Sequence, residues 1–246
     1  MSTASQQLDL VPEDWKRALA VVAHPDDLEY GAAAAIARWT GQGKQIAYCL
    51  ATSGEAGIDS MPPEQACPVR EAEQRAAAAV VGVSDVEFLG LPDGILEYGL
   101  PLRRAITAAI RRHRPDIVIG LSHREDSTGG PPNQADHVAV GRAAIDALRD
   151  AGNRWVFRDL LDEGLQPWPG VHTVLTVGSP HPTHAVDVTA TFDRGLASLR
   201  EHRAYLEGLG ASATDSTAFL EVMAREAGER LGVTFAVAFE AIPLRL

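Results

Sequence analysis

The residues His24-Pro25-Asp26-Asp27 stand directly after the short apolar run Ala18 to Ala23, at the point where a buried strand would give way to a loop. Two adjacent carboxylates beside an imidazole are electrostatically costly in such a place unless a cation neutralises them, and a divalent metal would do so. On a tight turn the first and fourth residues can converge while the third projects elsewhere. His24 and Asp27 then become candidate ligands, and Asp26 is free to act on a water. The same four residues also read as a proline turn with an aspartate N-cap for the next helix, and spacing alone does not separate the two. A third ligand should come from the end of another strand. Asp136-His137 has that address, because it closes the polar loop Leu121 to Ala135 and opens a helical stretch. A lone histidine at a helix start is often a surface or capping residue. Together with the first motif, however, it completes a His/carboxylate set of three, the pattern of a catalytic zinc site with an open position.

The elements that must position these residues alternate along the chain. Ala18 to Ala23 and Gln45 to Ala51 read as strands flanking an alanine-rich helix from Tyr30 to Trp39. A helix over about Gln65 to Val81, a strand at Val86 to Leu89, a helix over Leu100 to His113 and a strand at Asp116 to Gly120 continue the pattern. Further on come a helix at Asp136 to Ala151, a strand-like Trp155 to Phe157, and apolar runs at Val171 to Val177 and Ala185 to Val188. Helices at Phe192 to Leu206 and Ala218 to Leu231 and a last strand at Val233 to Phe239 close the series. Strands alternating with helices pair in parallel through right-handed crossovers. The expectation is one α/β domain over residues 1–246, with a Rossmann-like open, mostly parallel sheet covered by helices on both faces and its chemistry beyond the C-terminal strand ends.

With these residues placed, the chain resembles the PIG-L or LmbE-like zinc-dependent N-deacetylases, whose AHPDD-x-E fingerprint stands here as Ala23-His24-Pro25-Asp26-Asp27-Leu28-Glu29. Thr52-Ser53-Gly54-Glu55, Arg70 with Glu73, Leu91-Pro92-Asp93-Gly94, Arg114-Pro115-Asp116, Asp136-His137 with Gly141, and Val186 to Thr189 with His202 extend the resemblance over most of the chain. The resemblance implies one Zn2+ per chain on His24, Asp27 and His137, Asp26 as general base, and sugar contacts from Arg70 and Asp93. Each of the last two has a plainer reading: Arg70 as a helix pair with Glu73, and Asp93 as a turn residue. The implied function is removal of an acetyl group from an N-acylated amino sugar or related small molecule. One position departs from the family: a histidine commonly precedes the Ala-Asp-His segment where Gln134 stands. Glutamine donates to an oxyanion but cannot shuttle a proton, so Gln134 fills half of that role, and His123, His181 and His184 are candidate acids.

Competing readings are a metal-dependent hydratase of an unsaturated dicarboxylate, which would need extra Lys or Arg in its pocket, an amidase of a sugar-thiol conjugate, and a binding module that kept the fold without the catalysis. With 33 acidic against 22 basic residues and a net charge of −11, the chain lacks the electrostatic footprint of a nucleic-acid or anionic-membrane binder. Cys49 and Cys67 are too few for a disulfide framework or a thiolate metal cluster and read as one buried and one loop thiol. The first 15 residues lack a signal-peptide pattern, so the expected location is cytoplasmic, with a small-molecule substrate as partner and homo-oligomerisation left open. Gly208 to Ala213 matches a loose G-x-G-x-x-A string but follows a helix, the wrong context for a dinucleotide.

Overall fold

The computed structural model describes residues 7–126, 131–210 and 212–244. Its elements run β1 (Asp9–Leu10), β2 (Arg17–Val22), α1 (Asp27–Gly31), α2 (Ala33–Gly41), β3 (Gln45–Leu50), α3 (Pro63–Val80), β4 (Asp85–Phe88), α4 (Leu100–His113), β5 (Ile117–Leu121), α5 (Ala135–Gly152), α6 (Asp159–Asp162), β6 (Thr173–Val177), β7 (His184–Asp187), α7 (Phe192–Leu199), α8 (Arg203–Leu209), α9 (Ser212–Leu231) and β8 (Ala236–Pro243). The strands form one open sheet ordered β1-β7-β8-β6-β5-β2-β3-β4. From β6 through β4 every pair is parallel, while β8 runs antiparallel to both β6 and β7. The mixed α/β, mostly parallel sheet is the architecture the alternating pattern predicts.

β2 lies at the sheet's centre because its sequence is apolar on both faces: Leu19, Val21 and Val22 are at most 1% exposed. Burial of each such side chain contributes about 1.5–3 kcal/mol. From β2 the chain steps to β3 and β4 on one side, then returns through α4 to β5 on the other. This reversal is a topological switch point, where open parallel sheets leave a crevice beyond the strand ends. The two sequence motifs flank it, His24 after β2 and His137 after β5.

Four expectations are corrected. The helix from Tyr30 to Trp39 is two helices, bent at Ala32, where Gly31 passes so close to β6 that a Cβ on it would lie 2.7 Å from Val177. Trp155 to Phe157 is not a strand: the Arg111 guanidinium takes the carbonyls of Asp150, Ala151, Asn153 and Val156 and coils the segment. The helix from Phe192 to Leu206 breaks before α8, where fully buried His202 turns toward Glu29. Cys67, read as a loop thiol, lies within α3, while Cys49 is buried in β3 as expected.

Candidate active site

The turn after β2 is built around Asp27. Its Oδ2 accepts the backbone N–H of Ala23 and of His24 at 3.0 and 2.8 Å, so the carboxylate closes its own turn. Its Oδ1 is left facing His137 Nε2 at 3.0 Å. The N-cap alternative fails, since Asp26 occupies the cap position of α1 without a side-chain capping bond. His137 stands in the first turn of α5, and its Nδ1 lies 3.3 Å from Asn133 Oδ1. A neutral His137 that donates its Nδ1 proton to Asn133 would offer its Nε2 lone pair to a cation held between it and Asp27. Asn133 is itself held by bonds to the carbonyls of Ser122 and Arg124.

His24 is oriented from behind. Its Nε2 lies 3.1 Å from Asp93 Oδ1 and 3.2 Å from Asp136 Oδ2, while Nδ1 is on the side of Asp27, 3.8 Å from Oδ2. Burial alone would disfavour a charged His24, but Asp27 and Asp93 override it and hold the imidazole up to about 11. Asp27 is held below the usual carboxylate range: burial opposes its charge, and His137 and His24 prevail. The pocket therefore stabilises positive charge at its centre. One ligand atom each from His24, Asp27 and His137 lies within 4.8 Å of the others, and an N2O donor set amid buried carboxylates fits a divalent cation.

Asp26 points elsewhere, as the spacing suggests. It adopts φ 88°, a left-handed conformation uncommon for a residue other than glycine. Gln74 Oε1 accepts its N–H at 2.9 Å, and Arg70 Nη2 donates to its Oδ2 at 2.9 Å. Burial pushes the Asp26 carboxyl up to about 6, partly offset by Arg70 and reinforced by Asp27. Arg70 is 2% exposed, donates also to the carbonyls of Pro25 and Gly54, and lies over the Tyr205 ring. Its partner is thus Asp26, and the alternative helix pair with Glu73 does not form.

Asp93 sits in the Pro-Asp-Gly turn after β4, yet its carboxylate is aimed inward, at His24 and at the Ala56 N–H. Glu55 fixes that turn by accepting the Asp93 N–H. Gln134 is exposed at the N-cap of α5 on the cavity wall. Of the three candidate histidines, His181 lines the cavity, His123 is absent from its described lining, and His184, expected in a loop, instead opens β7 and is also absent from that lining. Sequence reasoning missed Asp136 as a site residue. Its carboxylate binds His24 and the N–H groups of Gly94 and Leu96, and its position beside His137 was the available signal. Gln74 was also missed, although it lies one turn from Arg70 on the same face of α3. Glu29, also buried, meets Gln74, Ser198 and His202 behind Asp26.

His24, Asp26, Asp27, Arg70, Asp93, Gln134 and His137 open into a cavity of about 1420 Å³. Residues 19–148 match the family model described as PIG-L, GlcNAc-PI de-N-acetylase. The chain belongs to this family. The matched segment contains every ligand candidate together with Asp26, Arg70 and Asp93. A diacetylchitobiose deacetylase from Thermococcus kodakarensis is 29% identical over 194 residues, 77% of this chain and 70% of that protein. Among solved PIG-L-like structures, an N,N'-diacetylchitobiose deacetylase from Pyrococcus horikoshii superposes with TM-score 0.86 at 24% identity, over 94% of this chain and 85% of that one. The fold is shared more widely: a 4-carboxy-2-hydroxymuconate hydratase from Pseudomonas putida reaches TM-score 0.75 at 20% identity, over 94% of this chain and 98% of that one. No helix among the described residues is long and apolar enough to cross a membrane.

Proposed function

We propose that this PIG-L family chain is a zinc-dependent hydrolase that removes the acetyl group from an N-acetylglucosaminide. The observation that carries the reading is the convergence of His24, Asp27 and His137 beside a carboxylate, Asp26, that is left out of the ligand set. A divalent cation held by His24, Asp27 and His137 would supply Lewis acidity to the amide carbonyl and lower the pKa of water toward neutrality. Asp26 takes the proton of the attacking water at Oδ1, the oxygen not bonded to Arg70. It then delivers that proton to the departing nitrogen as the C–N bond breaks, giving the free amine and acetic acid, which ionises to acetate by releasing its proton to solvent. A carboxyl raised to about 6 suits both steps near neutral pH. Gln134 donates to the developing oxyanion from the start of α5, and Arg70 and Asp93 hold the sugar side while fixing Asp26 and His24.

The lining disfavours the hydratase. It carries Arg70, already bonded to Asp26, and Arg230 among Glu226 and Glu229, alongside four carboxylates near the metal position, and this field repels a dicarboxylate. Asp26→Asn tests the proposal, because asparagine tolerates the left-handed backbone but cannot accept the proton. The variant should bind metal like the wild type and release acetate about 10²–10⁴-fold more slowly. Near-normal turnover would remove Asp26 from its role.

A further inference from the structure

The cavity does not end at the polar centre. It continues along α7 and α9, where Phe192, Leu196, Phe219, Leu220, Met223 and Leu231 line it. On α9, Phe219, Met223, Ala227 and Leu231 recur at every fourth residue and form one stripe. The C-terminal half of that stripe is packed: Ala227 joins Leu8, Ala185 and Ala236 in a small buried cluster, with Leu231 resting against it. The N-terminal half is uncovered, with Phe219 54% and Met223 46% exposed although both face the cavity. The wall is tied to the reacting centre, since Tyr30, just after the Asp26-Asp27 turn, donates from its hydroxyl to Ser216 Oγ at 2.8 Å. Large apolar side chains left open inside a concave site mark a ligand surface. The volume also exceeds the ~300–1,000 Å³ of an ordinary small-molecule pocket, leaving room beyond one sugar.

We propose that this wall binds an apolar aglycone, an alkyl or aryl group carried by the sugar of the N-acetylglucosaminide. The inference rests on the deacetylation reading: the acyl group released is acetyl, so the apolar length comes from the sugar's other substituent. The test is calorimetry with methyl and octyl N-acetylglucosaminides below the micelle concentration, with acetate release followed in the same samples. The octyl glycoside should bind at least about tenfold tighter, which two buried methylenes suffice to give. Met223→Gln should pull that ratio toward one. A ratio near one in the wild type overturns the proposal, as does a high ratio that Met223→Gln leaves unchanged. Tighter binding of N-octanoylglucosamine than of N-acetylglucosamine, with a methyl-to-octyl ratio near one, would put the apolar group on the acyl side and also overturn it. A high ratio sensitive to Met223→Gln, without acetate release, supports the wall and refutes the deacetylation reading alone.

Discussion

Asp26 combines a strained backbone, a buried carboxylate and one strong partner. A left-handed aspartate costs about 1–3 kcal/mol and persists where its surroundings enforce it, here through Gln74 on its N–H and Arg70 on its side chain. Burial raises the carboxyl and Arg70 lowers it. As a base Asp26 works when deprotonated, so the rate should climb with pH through its pKa. Arg70→Met removes the cation that favours the charged form and should move the acid limb of kcat/KM to higher pH, whereas Arg70→Lys should restore much of the wild-type position. An unmoved limb in the methionine variant would show that another group is being titrated. The resemblance made Arg70 a sugar contact, and nothing in the spacing of residues 26 and 70 announces their bond, which depends on how α3 crosses the turn after β2.

At the scale of elements, the site depends on how α5 sits against the end of β5. Gly141 lies one turn along α5 from His137, and a Cβ there would meet Leu121 O at 2.7 Å and the His123 nitrogen at 3.0 Å. Those are backbone atoms that cannot swing aside. Gly141→Ala should therefore lift α5 from the sheet, destabilise the protein by about 1–3 kcal/mol and weaken metal binding through displaced His137. Denaturant unfolding and metal titration check the two effects, and unchanged metal affinity would show that α5 does not set the ligand geometry. The parallel core was legible because β2 and β5 are short continuous apolar runs and α4 is bounded by Pro101 in its first turn and Pro115 just past its end. The breaks at Ala32 and before His202 were not, since they arise from contacts with Val177 and Glu29, distant in sequence. Likewise Asp27 and His137 could be named from their residue types, but Asn133 and Asp136 acquire their orienting roles only when the loops close.

For the whole molecule, an acidic chain that buries Asp26, Asp27 and Asp136 around two imidazoles would gain stability from a cation that binds the folded state alone. Zinc at about 100 times its Kd would contribute about 2.7 kcal/mol, or roughly 5–10 °C in Tm for a chain of this size. Wild-type protein should show that rise, and His137→Ala should lose most of it. An equal rise in both would place the metal elsewhere. If His24, Asp27 and His137 hold the metal on which amide hydrolysis depends, titrating zinc into chelator-stripped protein should restore acetate release from methyl N-acetylglucosaminide. No turnover is expected without metal, followed by a rise that saturates at one zinc per chain. Turnover in the stripped protein, or one bound zinc with no acetate released, would contradict this assignment.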